Sequence, residues 1–460
     1  EKKLDGRPVP QITAFLFDKG GHEDPKQLAA NAGKSFQGSI VLGMGFTFDD
    51  SGEADDDTPG IPSPIATMER LIAENPKNAE VIFPYIGGKE VNDSPTHAHH
   101  RYVINFGDRT EEECRQGWPE LMRIVERKVR PKRDQLKDNT DGRRRKEYWW
   151  QFGRSTPALE AAVRQCERVL VVSQTSKYKN FLLVRPGRVF DQKLIVFPSE
   201  SLSLLVCLQS STHLSWAEFM GSSMKDDPVY TPTLCFDPFS FPATLLESNA
   251  NDPDDASHGE TLEAIGERYH QFRAELMVAN NEGLTSTYNR FHDPAESNDG
   301  ILELRSLHQQ LDQAVLQSYG WEDIPTSCGF GLDYLDSDDD TTLPPDLQER
   351  IASGDLFFAT ASEACAFQSQ LRQYGVVKPT KKLPWRHRWP DTVRYDVLAR
   401  LLALNAERYA EEQARGVRGK VTSKAAGTAA AGGKRRGRPA KAAQAGETLS
   451  AQAEQMGLGL

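Results

Sequence analysis

GKSFQGSIVLGMGF (33–46), NPKNAEVIFPYIGG (75–88), RYVINFGDRTEEE (101–113), IVERKVRPKRD (124–134) and YWWQFGR (148–154) follow one another in the first third of the chain and set its character. Short β-rich runs bounded by Gly, Pro, Asn or Asp alternate there with helix-start signals, a pattern of mixed α and β structure. The runs predict strands at 39–42, 81–85 and 101–106, and further on at 169–172, 181–184, 194–197 and 202–208. Thr110 followed by Glu113 is a capping box, in which hydroxyl and carboxylate each satisfy a free backbone donor at a helix start. Thr156 with Pro157 opens another helix through Leu159, Ala162, Val163 and Cys166. The expected class is α+β.

Outward from this block the period changes. Leu262, Ile265, Tyr269, Phe272 and Leu276 step by three and four, and Ile301, Leu304, Leu307, Leu311 and Val315 do likewise, so both stretches predict amphipathic helices. The second should stop at Tyr319-Gly320. GLTSTYNRFHDP (283–294) reads as the turn between them, which makes an antiparallel helical pair the expected unit. A last helix from about residue 392 to 415 presents Val397, Leu398, Leu401, Leu404 and Tyr409 for docking on the earlier helices. The expected organisation is a mixed α/β domain at 1–245, a helical hairpin at 255–325, a small C-terminal helical domain at 326–415 and a basic tail at 416–460. Between Gln413 and Ala445 stand nine basic residues and no acidic one among Ala, Gly, Ser and Thr, a composition expected to stay disordered.

The chain has 460 residues, 38% of them hydrophobic, enough for more than one core. It opens on Glu1 without a targeting pattern, so it reads as a fragment or a processed product. No apolar run is long enough to cross a bilayer, and no membrane partner is expected. The six cysteines are far apart and form no CxxC pair, which fits a reduced, cytoplasmic setting and neither a zinc site nor a disulfide framework. Formal net charge is -11, yet the acid is concentrated at 49–57, 251–257 and 333–340, all of turn-forming composition and expected to be solvated loops. A local basic groove is compatible with that total.

Several motifs mislead. Gly43-Met44-Gly45 follows a strand but lacks the helix start and the acidic ribose ligand of a cofactor loop, so a tight turn is expected. Asp237-Pro238-Phe239 has one proline where an adenine-gripping loop has two, and Asn75-Pro76-Lys77-Asn78 also lacks the second proline. His97, His99 and His100 do not fall three to a face and read as an exposed polar turn rather than a metal site. Asp191-Gln192-Lys193 lacks the Pro-Asp element of a nuclease motif. Neither a catalytic residue nor a cofactor or metal site is expected in this chain.

Other motifs point to nucleic acid. Lys434 to Lys441 resembles an AT-hook: Arg435, Arg436, Gly437, Arg438 and Pro439 supply cations and an extended backbone suited to a narrow minor groove. In SQTSKYKNFLLVRPGR (173–188), Ser173 and Gln174 offer polar contacts. Gln174 can pair with adenine, Arg185 or Arg188 with guanine, and Lys177 and Lys179 can hold phosphates. Arg130, Lys132 and Arg133, within a larger cluster of Arg127, Lys128 and Arg143 to Arg145, are candidates for tracking phosphates, with Arg154 as a further contact. Trp149 and Trp150 are expected in the core.

The order of the opening blocks, continued by SSTHLSWAEFM (210–220), YTPTLCFDPFSFP (230–242), LRSLHQQLDQAVLQSYGW (304–321) and LARLLALNAERYAEE (398–412), resembles the target-recognition region of MmeI-like type II restriction and modification enzymes. The resemblance implies that this chain reads double-stranded DNA. Adenine-N6 methylation from S-adenosylmethionine, and cleavage with Mg2+ where it occurs, would belong to nuclease and methyltransferase domains outside the chain, joined in cis or as a separate subunit. CFDPFSFP and the basic tail depart from the family's pattern. Two other readings stand beside this one: a free-standing architectural DNA-binding protein acting through its tail, and a scaffold for a methyltransferase subunit.

Overall fold

The computed structural model describes residues 2–4, 7–9, 11–15, 17, 23–224, 227–246, 253–335 and 344–416. All belong to the unit Glu1–Gly419; the AT-hook-like Arg435 to Pro439 lies outside the described residues. The fold is α+β, built on two four-stranded sheets. The strands that form them are β1 (Phe36–Gln37), β2 (Thr47–Phe48), β3 (Ile82–Ile86), β4 (Arg101–Ile104), β5 (Val169–Ser173), β6 (Leu182–Val184), β7 (Val189–Phe190) and β8 (Leu194–Phe197).

The first sheet has the order β1-β8-β5-β6, every pair antiparallel, and the second the order β2-β4-β3-β7, with β3 and β7 parallel. β5 and β8 are buried at every position, which is why they read as continuous apolar runs rather than alternating ones. Consecutive strands β7 and β8 lie in different sheets, joined by the turn at Asp191. Beside this turn the chain from Phe36 bridges at Ser39 to Asp191 and at Ile40 to Arg154. The 33–154 block is thereby fastened to the hairpin strands some hundred and fifty residues later.

Each sheet has its own core. Val103, Trp118, Leu121, Val125, Trp149 and Trp150 pack with the second sheet, so both tryptophans are core residues as expected. The first sheet shares a larger core with the helices that follow it. Thr110 and Glu113 form the expected capping box at the start of Glu111–Gly117.

One expected strand is a helix. Residues 202–208 lie in the helix Leu202–Gln209, almost wholly buried, so no amphipathic period marks it. Its first turn is capped from a distance: Ser201 Oγ accepts from Leu204 N at 3.1 Å, and the Glu263 carboxylate accepts from Ser201 Oγ, Leu202 N and Ser203 N at 2.9–3.1 Å. The expected helical pair is present as Pro253–Asn280 and Asp299–Ser318, and it ends at Tyr319-Gly320. Arg268 bonds Gln310 while Leu276 lies against Gly300, the order of an antiparallel pair. The stretch expected to be a turn holds a further helix, Leu284–Phe291, started at Gly283.

Residues 326–415 are less helical than expected. Gly329–Leu332, Phe357–Phe358 and Trp385–Arg388 form a three-stranded antiparallel sheet with its own small core around Phe330, Phe358, Phe367 and Trp385. The final helix, Asp391–Ala414, packs on Ser211–Met220. Its Glu412 accepts from the backbone N–H of Ala29 and Ala30 at 2.8 and 3.0 Å, tying the early chain to its last helix. No helix among the described residues is long and apolar enough to cross a membrane.

Candidate nucleic-acid interface

The 173–188 stretch is held from behind by a buried polar network. Arg273 donates to Tyr269 Oη at 2.6 Å and to the Phe181 carbonyl at 2.7 Å, and Tyr269 Oη is 2.8 Å from Tyr288 Oη, itself 2.8 Å from His308 Nε2. Gln209 Oε1 accepts from Phe181 N at 2.9 Å, and Tyr178 Oη donates to Asn289 at 3.0 Å. The helical pair thus fixes the chain that enters β6.

This arrangement separates the residues the sequence groups together. Val169 of β5 faces Val184 of β6, so Gln174 and Lys179 lie at one end of the hairpin and Arg185 and Arg188 at the other. Ser173 is buried, and its Oγ accepts from Asn92 Nδ2 at 2.9 Å. Lys179 donates to the carbonyls of Gln174, Ser176 and Pro228 at 2.5–3.3 Å, which takes all three of its protons; burial lowers its pKa to about 8. It is a structural lysine, with no donor left for a phosphate. Lys177 donates to Asn289 at 2.9 Å and lies over the Tyr178 ring.

Arg185 is exposed, and neither it nor Arg188 makes a hydrogen bond or ion pair with a described residue. Burial, then the charge of Arg185 beside it, holds the Arg188 guanidinium below its usual value. His99 is lowered by burial and then by Arg188, which sets a neutral imidazole beside the cationic corner made by the two guanidiniums.

At the other end, Gln37 Nε2 donates to the Gln192 carbonyl at 2.9 Å and to Gln174 Oε1 at 3.4 Å. This exposed amide pair brings together residues of the opening block and the hairpin. Gln37 was missed by sequence reasoning; its one signal is a polar residue immediately before Gly38 at a strand edge.

The basic cluster at 127–145 is largely neutralised inside the protein. Arg133 is buried and donates to the carbonyls of Val41, Leu42, Tyr148, Trp149 and Gln151 at 2.6–3.3 Å, with its pKa lowered to about 10 by burial and then by Arg145 and Arg144. Lys128 is fully buried; its ammonium donates to the carbonyls of Asp55 and Pro62 and lies 3.9 Å from the Asp55 carboxylate. Arg127 pairs with Asp57 at 2.8 Å, and Arg130 with Glu126 at 2.7 Å while lying over Trp149. The 49–57 loop is therefore more than solvated acid, since it covers two cations. Asp333 likewise pairs with Arg386 at 2.8 Å. Lys132, laid across Gly60, and Arg154, exposed beside Ile40, remain without a side-chain partner among the described residues.

The decoy motifs have structural roles. Gly43-Met44-Gly45 opens a single 3-10 turn that leads into β2, and Gly45 is packed against the Lys128 backbone, where a side chain would collide. Such a loop offers no helix start to a cofactor. Asp237 and Pro238 present their carbonyls to Leu28 N, Asn31 and Asn405, while burial lifts the Asp237 carboxyl to about 6. Asp191 accepts from Tyr85 Oη at the inter-sheet turn. His97 is partly buried rather than an exposed turn residue, bonded to the Val91 carbonyl at 2.9 Å and lowered to about 4 by burial. Among the described residues no group of three or more His, Cys, Asp or Glu could hold a metal ion.

Residues 65–243 match the family model described as the MmeI target recognition domain, a span that contains β3 to β8 and the cationic corner. Among solved structures, the Type IIL restriction-modification enzyme MmeI in complex with DNA matches with 17% sequence identity and a TM-score of 0.47, over 78% of this chain and 39% of that one. The chain therefore spans well under half the length of that enzyme. No curated protein matches.

Proposed function

We propose that this chain is the DNA-reading part of a site-specific adenine-N6 DNA methyltransferase of restriction-modification or phage-defence type. The match of residues 65–243 to the MmeI target recognition domain carries the reading. In it, Gln37 and Gln174 read base edges in the major groove, and Arg154, Arg185 and Arg188 contact guanine or phosphates. S-adenosylmethionine, and Mg2+ where the parent cuts, belong to domains outside this chain, in cis or on a partner subunit. Those domains flip and methylate the adenine while this part holds the duplex.

Selection from a random duplex pool tests this, with the full chain alone and with the methyltransferase part supplied. One enriched motif, lost in Gln37→Ala/Gln174→Ala, is the expected result. Enrichment of none at low salt in either form would overturn the proposal. The sequence Arg435 to Pro439 favours a second reading, an architectural protein binding through its tail. Deletion of 432–460 separates the two, because motif selection survives it only if the folded part reads DNA.

A further inference from the structure

The loop after β1 has an unusual backbone. Leu42 has φ of +48°, a left-handed conformation disfavoured for a branched apolar side chain. The other described non-glycine residues with positive φ are a His and an Asn, types that tolerate it better. Leu42 is also 44% exposed, with Met44 at 40% and Tyr148 at 39%.

The surroundings hold this conformation in place. Arg133 donates to the carbonyls of Val41, Leu42 and Tyr148, gathering the exposed residues around one guanidinium. Gly153 N donates to the Val41 carbonyl at 3.3 Å, and Arg154 N to that of Ile40 at 3.0 Å. The Leu42 side chain lies across Gly153, where an added Cβ would stand 2.6 Å from its Cδ1. Arg144, bonded to the Gly153 carbonyl, and the unpaired Arg154 flank the loop. Most other cations of 127–154 are held by carbonyls or carboxylates of the protein, so the charge beside the apolar tip is that of the exposed Arg144 and Arg154.

We propose that Leu42, followed by Met44, is a wedge that enters the base stack of a bound DNA duplex. Insertion between bases requires an apolar tip, a mount that does not yield, and cations for the phosphates on either side. A strained residue fixed by its neighbours is the kind of feature that marks such a device. Five residues separate Leu42 from Gln37, so the tip stands at most about 17 Å from that amide, within roughly five base-pair steps and thus within the length of one duplex site. This inference rests on the DNA-reading proposal.

The test uses the full chain and the duplex it selects, with 2-aminopurine walked through every position. Unstacking at one step is expected to raise fluorescence severalfold with the parent and with Leu42→Met. Leu42→Gly suits the backbone, so this variant should melt no lower than the parent yet lose the fluorescence rise and bind at least about fivefold more weakly. Unchanged unstacking in Leu42→Gly overturns the wedge. So does a lower melting point with DNA binding and unstacking intact, which would make Leu42 a packing residue. If the parent selects no duplex, the DNA-reading proposal fails first and the wedge with it.

Discussion

The two basic stretches at 127–154 and 173–188 look alike in sequence and differ in what their cations do. In the first, Arg133 and Lys128 are buried on carbonyls, Arg127 and Arg130 are paired with acids, and Lys132 and Arg154 are among the cations without a side-chain partner among the described residues. In the second, Lys179 is half-buried with its ammonium on three carbonyls, while Arg185 and Arg188 have no partner among the described residues. Cation density therefore does not locate the interface. Arg154, Arg185 and Arg188 sit at strand ends and turns, whereas the inward-turned cations donate to backbone carbonyls.

The largest expected effect breaks this distinction at its strongest point. Arg133→Met leaves the carbonyls of Leu42, Trp149 and Gln151 without a donor, each worth about 1–3 kcal/mol, so unfolding in urea should show a loss of at least about 3 kcal/mol. Were Arg133→Met to keep its stability and lose only DNA affinity, the assignment of Arg133 to structure would be wrong.

Acid should separate the two cores. Burial holds His213, His308 and His387 at about 3, well below their usual value, so each favours folding above about pH 6.5. That contribution falls by about 1.4 kcal/mol per histidine per pH unit as pH drops from there toward the folded values. Asp312 and Asp237, raised by burial to about 7 and about 6, act in the opposite sense and gain as pH falls. With His97, His270 and His292 lowered by burial as well, against four raised carboxyls once Asp333 and Glu160 are included, stability should decline between pH 6.5 and 4. The histidines pack around the first sheet's helices and the second core has none of them, so limited proteolysis at pH 5 should cut 202–318 before 65–154. Cleavage in the reverse order would refute this.

Among the free cations, Arg154→Ala, Arg185→Ala and Arg188→Ala should each leave the melting point unchanged and weaken binding to the selected duplex about tenfold. A phosphate contact shows as a loss uniform across sequences, with the salt slope reduced by about 0.9; a base contact shows as relaxed preference at one position. Three variants that bind like the parent would remove this surface from the interface.

Much of this fold was legible because local signals agreed. The steps of three and four at Leu262 to Leu276 and Ile301 to Val315, and the Thr110–Glu113 box, lie within single elements. The errors have a shared cause. The helix at 202–209 is buried on all sides and capped by Glu263 some sixty residues away, so neither its period nor its start is visible locally. The sheet within 329–388 is built from GFGL, FF and WRHR, too short and too irregular to show alternation. The site was less legible than the fold. Arg130 and Arg133 are three residues apart on one short helix, and only the distant carbonyls at 41–42 and 148–151 decide which of them is buried.

The smallest expected effect is the most direct comparison of the two stretches. Asp57→Asn releases Arg127 from an exposed ion pair, which contributes about 0–1 kcal/mol, so stability should change little. Its value lies in the freed charge. If the duplex follows the chain from Gln37 to Leu42, the new cation at the end of Pro119–Lys128 lies off the path, and affinity at low salt should stay within about twofold. A larger gain would mean that phosphates run over the helix end. The acidic loop at 49–57 would then be a cover that competes with DNA rather than a support for Lys128. Lys128 itself separates these outcomes, because its ammonium is held by the carbonyls of Asp55 and Pro62 whichever charge stands at position 57.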